Sequence, residues 1–445
     1  EQRKVDVETI STFRCSNEMV NRLHDLMKRT LLNNFQGKPT DTPVFEKNGW
    51  LGDLNVALKS ILYNFDVNEF LSNFTFMMAD CMHDCDNITI MIPSVIWKRR
   101  NSPVWNTVFV FTIEALYDYY GNTDIVNRLY PEVRRMAQKD IAFVESRGWV
   151  WDVFELADWV APMNDEFCAP NAGMSEGIEI CGTVYVHAML HSAARLARLM
   201  GQEEDAQEYE AAAAKIRTAF NARYYRPETR EYVTEFWEEI GIRSHYRQTS
   251  NLLALAFGMA PEGEEERIFA RLVESFESRD YHLDTGCVGT PLVLPVLFDY
   301  GRADIAWKVL TQTTYPSWGY WIANGSTTAW EHWEVRSRSL DHYFLGTYEE
   351  ALYSHILGIR NVRDGFKRFI VAPEIGCGLD FAEGSVKTPQ GMVSSAWKVQ
   401  GDETIVDITI PEGAEVVIRL PGYEKGVGGG NYRFTVNKGG NTVEK

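Results

Sequence analysis

Within thirteen residues, Asp41-Thr-Pro-Val-Phe-Glu46-Lys-Asn-Gly49-Trp50-Leu-Gly52-Asp53, the chain gathers three carboxylates and an indole. Pro43, Gly49 and Gly52 punctuate the run, which predicts a shaped loop that delivers side chains to one place. Cleaving a glycosidic bond needs that equipment. One carboxylic acid protonates the leaving oxygen, a second carboxylate attacks or activates water, further carboxylates hold sugar hydroxyls, and an indole covers the apolar face of the ring. The competing structural reading is that Asp41 and Asp53 cap neighbouring helices and that Trp50 is core.

A second unusual stretch is Tyr315-Pro-Ser-Trp318-Gly-Tyr320-Trp321-Ile-Ala-Asn-Gly325-Ser-Thr-Thr-Ala-Trp330-Glu331-His332-Trp333-Glu334. Aromatic walls on both sides of Glu331 are expected to limit its solvation and set its pKa. The structural alternative makes Glu331 an ion-pair partner at a buried helix start. Asp341-His342 follows closely, with His342 as a donor to a sugar hydroxyl or a tie between loops. Asp158-Trp159, downstream of Glu155, adds an acid beside an indole, and Trp105 follows Pro103; packing and site are balanced readings for both.

These residues must be positioned by a large, mostly helical chain. The 445 residues suffice for one large domain and a smaller one. Apolar residues from Asn17 to Phe35 recur at helical spacing, with Ser16 or Asn17 as the cap. Aromatic- or methionine-glycine pairs then recur at Tyr120-Gly121, Met200-Gly201, Phe257-Gly258 and Tyr300-Gly301, the expected left-handed helix terminators. The second helix of one pair presents Ala206, Tyr209, Ala213, Ile216 and Phe220 on one face. Hairpins of roughly 50 residues over about 350 residues predict about six pairs, closing as an (α/α)6 toroid rather than an open solenoid.

From Asn361 the texture changes to short runs, 366–371, 393–398, 404–410 and 415–420, separated by turn residues. They predict a small antiparallel β-sandwich, with a loop through Gly426 and Gly428–Gly430 before a last strand near Tyr432. The expected division is a barrel over 1–360 and a β domain over 361–445.

Sixty-two acidic against 44 basic residues give a net charge of −18, which argues against nucleic acid or an anionic membrane as partner and favours a neutral ligand. Seven cysteines spread along the chain make no disulfide framework, and Cys81-Met-His83-Asp-Cys85 lacks a second ligand pair, so neither metal nor cofactor is expected. No apolar run reaches the roughly 18 residues of a membrane helix. The chain starts at Glu1, so a leader, a tag or whole domains upstream are an open expectation.

Taken in order, Asp41 through Asp53, Asp158-Trp159, Tyr315-Pro-Ser-Trp-Gly-Tyr, Gly325-Ser-Thr-Thr-Ala-Trp-Glu-His-Trp, Leu340-Asp-His-Tyr and the Gly365-Phe-Lys-Arg-Phe region resemble the catalytic part of the bacterial α-L-rhamnosidases of glycoside hydrolase family 78. The resemblance implies an (α/α)6 barrel followed by a β-sandwich. It also implies inverting, exo-acting release of terminal α-L-rhamnose from a glycoside or polysaccharide, in the cytoplasm or periplasm of a bacterium. Glu46 is then the general acid and Glu331 the general base, roughly 6.5 to 9.5 Å apart with water between. Asp41 and Asp53 bind hydroxyls, Trp50, Trp159 and Trp318 form apolar walls, His342 contacts the sugar, and Asp158 and Trp330 complete the binding set. Glu46 has to be protonated at working pH, which a partly desolvated wall beside Trp50 favours. Two departures stand out, Phe45 where relatives often carry arginine and Asp341 where asparagine is common. The alternatives are the same scaffold acting on another sugar, and a carbohydrate-binding barrel without catalysis.

Overall fold

The computed structural model describes residues 5–85, 88–94, 101–153, 156–162, 178–233 and 246–444. Among the described residues the elements up to Ile356 are helices, apart from an N-terminal strand and a two-stranded hairpin, and those after it are strands. Helix Glu18–Asn34 begins where its cap dictates: Asn17 Oδ1 accepts from the backbone N–H groups of Met19 and Val20 at 3.0 and 3.2 Å. The next helix, Leu51–Asn64, starts directly at the end of the acidic run and carries Asp53 in its first turn. All four anticipated glycine terminators have φ between 62° and 74°. Along helix Glu203–Tyr224 the predicted face is fully buried, with Ala206, Tyr209, Ala213, Ile216 and Phe220 all at 0% exposure.

The β region forms a six-stranded and a four-stranded sheet. The first contains Phe381–Thr388, Gly391–Gln400, Glu403–Ile410 and Gly430–Asn437, and its edge is an N-terminal strand, Ser11–Cys15, paired antiparallel with Phe381–Thr388. Nothing local distinguishes Ser11–Cys15 as part of a sheet whose other strands lie some 370 residues on; alternation of burial only becomes meaningful once the partner is present. Two expectations are corrected. The four-stranded sheet is mixed, because Arg368–Val371 runs parallel to Glu415–Leu420. Gly426 is in strand Tyr423–Val427, paired with Val417, and not in a loop; it sits on an edge strand, where a weak β former is tolerated.

The helical and β parts meet through buried contacts. Trp397 Nε1 donates to the Ile356 carbonyl at 3.0 Å, and Tyr63 OH donates to the Ile359 carbonyl at 2.7 Å. Among the described residues no helix is long and apolar enough to cross a membrane.

Candidate active site

The acidic run is a loop held by its own backbone. Asp41 and Asn48 close it with two bonds, Asp41 N–H to the Asn48 carbonyl at 2.9 Å and Asn48 N–H to Asp41 Oδ1 at 2.7 Å. Inside the closure Thr42 Oγ1 accepts from the N–H groups of Phe45 and Glu46, and Lys47 takes a left-handed φ of 55°, unusual for a residue with a side chain. The glycines serve differently from the turn role anticipated for them. Neither has a positive φ; a Cβ on Gly49 would meet the Ile92 carbonyl oxygen at 2.1 Å, and one on Gly52 the Trp105 ring at 2.3 Å. They are required by close approach.

The loop aims Glu46 at its neighbours. Trp50 Nε1 donates to Glu46 Oε2 at 2.8 Å, and the Arg338 guanidinium pairs with Oε1. Burial pushes the Glu46 carboxyl up, but the bonds from Trp50 and Arg338 and the Arg338 charge outweigh it, and the group lies below the usual range. This corrects the expectation that the setting beside Trp50 favours the protonated acid: the indole and guanidinium together favour the carboxylate.

The second loop is equally self-supporting. Glu331 N–H donates to the Ser339 carbonyl and Ser339 N–H donates to Glu331 Oε2, both at 3.0 Å, so the carboxyl is fixed by the segment its own backbone pairs with. Its pKa is lowered: burial raises it, and His332, His342 and Arg338 more than compensate. His342 N–H reaches the Ala329 carbonyl at 2.8 Å, and Asp341 Oδ2 accepts from Asn33 at 2.7 Å, tying this loop to helix Glu18–Asn34.

Among the described residues two hydrogen-bonded pairs join the loops, Arg338 with Glu46 and His342 with Asp53, the latter with Nε2 and Oδ1 2.6 Å apart. Asp41, Asp53 and His342 are all buried. Burial, then the Asp53 charge, push Asp41 up to about 7. Asp53 is raised by burial against the pull of His342. Burial alone would depress the His342 imidazole, but Asp53, Glu331 and Asp41 hold it above its usual value. The buried cluster therefore gathers three carboxyl groups, those of Asp41, Asp53 and Glu331, around one imidazole, and His342 Nδ1 has no hydrogen-bond partner among the described residues.

Other candidates separate from this cluster. Trp318 is fully buried with its N–H on the Leu345 carbonyl at 2.8 Å, and Trp330 is 4% exposed against Trp321. With Trp321 and Trp333 they form core: the short helix Trp318–Ala323 buries Trp318 and Trp321, and the segment after it packs Trp330 and Trp333 against them. The aromatic density that pointed to a wall is explained by this packing. Asp158 is likewise a structural group: Oδ2 accepts from Thr249 Oγ1 and Gly286 N–H, and Oδ1 from the N–H groups of Val288 and Gly289, at 2.5 to 3.0 Å. Its partner in the motif, Trp159, is only partly buried, and Trp50 too keeps accessible surface. Glu155 lies outside the described residues. Arg338 was missed altogether, because a single arginine between two serines carries no spacing signal. Among the described residues no group of three or more His, Cys, Asp or Glu is arranged to hold a metal ion.

Comparison with known proteins places these loops in a family context. Residues 8–356 match the model described as the bacterial alpha-L-rhamnosidase 6 hairpin glycosidase domain, and residues 358–434 match the bacterial alpha-L-rhamnosidase C-terminal domain. An alpha-L-rhamnosidase of Alteromonas sp. (strain LOR) is 30% identical over 421 residues, 91% of this chain and 44% of the relative. One of Formosa agariphila is 29% identical over 424 residues, 92% of this chain and again 44% of the relative. The chain thus spans less than half the length of these relatives. Among solved structures, the alpha-L-rhamnosidase from Dictyoglumus thermophilum superposes with a TM-score of 0.88 at 26% identity, over 97% of this chain and 50% of that one. The Streptomyces avermitilis alpha-L-rhamnosidase complexed with L-rhamnose gives 0.85 at 26% identity, over 97% and 43%.

Proposed function

The chain belongs to the bacterial α-L-rhamnosidase family, and from that membership we propose that it is a glycoside hydrolase releasing terminal α-L-rhamnose with inversion, with Glu46 as general acid and Glu331 as general base. The observation that carries this reading is the meeting of the two acid-bearing loops, through Arg338 and Glu46 at one point and His342 and Asp53 at another. Catalysis by inversion needs two carboxyl groups on opposite sides of one sugar, and these contacts bring both loops to the same place.

In this mechanism Asp53, Asp41 and His342 hold ring hydroxyls; buried charged groups make short, strong bonds there because little water competes. Trp50 and Trp159 offer apolar surface to the ring and its C6 methyl. Glu331, fixed by Ser339 and lowered in pKa, is suited to take a proton from water. Glu46 delivers its proton to the leaving oxygen. On this reading the helices among residues 1–360 make up the (α/α)6 ring expected from the hairpin repeats, and residues from 361, joined by strand Ser11–Cys15, make up the accompanying β domain.

Proton NMR of an aryl α-L-rhamnoside during hydrolysis tests the proposal. First appearance of β-L-rhamnose supports inversion, first appearance of the α-anomer refutes it, and prolonged absence of any product removes the hydrolase reading.

A further inference from the structure

Arg338 belongs to none of the motifs, yet it is the residue that touches the proposed acid from the opposite loop. Its guanidinium meets Glu46 Oε1 and lies 5.8 Å over the Phe45 ring, while Oε2 accepts from Trp50 Nε1 at 2.8 Å. Both carboxylate oxygens therefore face donors that have no acceptor function. Each of these bonds favours the ionised carboxyl, as does the Asn48 side chain, so release of one of them favours the proton that a general acid needs.

The two differ in freedom. Trp50 stands at the start of helix Leu51–Asn64 and bridges to Met91, so its backbone is fixed at both, and its side chain is only partly exposed. Arg338 has 54% of its side chain exposed, on a flexible stem. The other charged or titratable groups nearby are Asp41 and Glu331, which both act on Arg338, Lys47, next to Glu46 in the loop, Lys38, whose Nζ donates to the Lys47 carbonyl at 3.1 Å, and His332 and His342, which act on Glu331. Neither carboxylate replaces the guanidinium at Oε1.

We propose that Arg338 is a positioning residue acting through Glu46, a latch that orients the acid and keeps it ionised until the sugar and its leaving group enter, and then leaves Oε1. The proposal rests on the reading of Glu46 as general acid. Arg338 thereby couples filling of the site to protonation of the acid. The lowered pKa of Glu46 agrees with the latched state.

The test compares the full chain with Arg338→Met and Arg338→Lys, each checked for folding by circular dichroism. In kcat/KM profiles on phenyl α-L-rhamnoside, whose leaving group needs a proton, Arg338→Met is expected to retain more of its optimum activity at the alkaline end than the parent, with Arg338→Lys between them. On the 2,4-dinitrophenyl glycoside, which departs with little proton assistance, the change should be smaller. Superimposable profiles, or an equal change on both substrates, overturn the latch. Carbon-13 NMR of δ-labelled glutamate gives a second measurement, with the Glu46 signal assigned by its loss in Glu46→Gln. Its titration midpoint should rise in Arg338→Met whether or not the chain hydrolyses anything, and an unmoved midpoint refutes the latch. A raised midpoint in a chain without hydrolysis would remove the acid role and leave only the ionic contact.

Discussion

His342 Nε2 lies 2.6 Å from Asp53 Oδ1, both side chains almost sealed from solvent, although the two residues are 289 positions apart. The pair joins the first turn of helix Leu51–Asn64 to the loop that carries Glu331. A buried charge that loses its only strong partner is expensive. We therefore expect His342→Ala to destabilise the fold by about 3 to 5 kcal/mol near pH 6, read by urea unfolding. Asp53→Asn keeps the size and should mainly weaken sugar binding. Rhamnose affinity of Asp53→Asn equal to that of the parent in calorimetry would take Asp53 out of the site.

Glu46→Gln and Glu331→Gln should each lower kcat by on the order of 10² or more on an aryl α-L-rhamnoside. The two losses differ in kind. That of Glu46→Gln should shrink as the leaving group improves, because an activated aglycone leaves without a proton, whereas that of Glu331→Gln should persist across leaving groups, because water still has to be deprotonated. A near-normal rate in either variant ends that assignment.

Asp158 is a test of structure against binding. Its acceptor bonds tie Thr249 and residues 286–289 to the segment that carries Trp159. Replacing one oxygen by NH2 sets a donor against at least one buried donor, so Asp158→Asn should cost on the order of 3 kcal/mol of stability. If instead the variant unfolds like the parent and only its KM rises, Asp158 meets the sugar.

Asp140 offers a pH signature away from the site. Burial pushes its carboxyl from 3.8 up to about 7, so the fold favours the protonated form. That contribution is complete below about pH 4, where the unfolded chain is protonated too, and it is lost as pH rises through about 7, at about 1.4 kcal/mol for each pH unit between those two points. Asp140→Asn removes the dependence. Its melting temperature should match the parent near pH 4 and exceed it by several degrees at pH 8; equal melting at both pH values would contradict the burial argument. Asp41, raised to about 7 as well, destabilises in the same window and remains in this variant.

Much of this was legible in the chain because it is written locally. Asn17 as a cap, the glycine terminators and the buried stripe from Ala206 to Phe220 depend on neighbours within a turn or two, and the structure has all of them. The acidic loop was visible for the same reason, since Asp41 to Asp53 are thirteen adjacent residues and the loop closes on itself. The family was legible through the order of such motifs. What the tertiary structure decided involves residues far apart. It put Trp318 and Trp330 in the core, because burial depends on how a short helix and the segment after it pack together. It saturated Asp158 with donors from two other segments, and it completed a sheet with Ser11–Cys15. It also brought Arg338 to Glu46, adding a second donor and a positive charge to the Trp50 bond so that together they outweigh burial, because a charge across a gap acts by distance in space and leaves no periodicity in sequence.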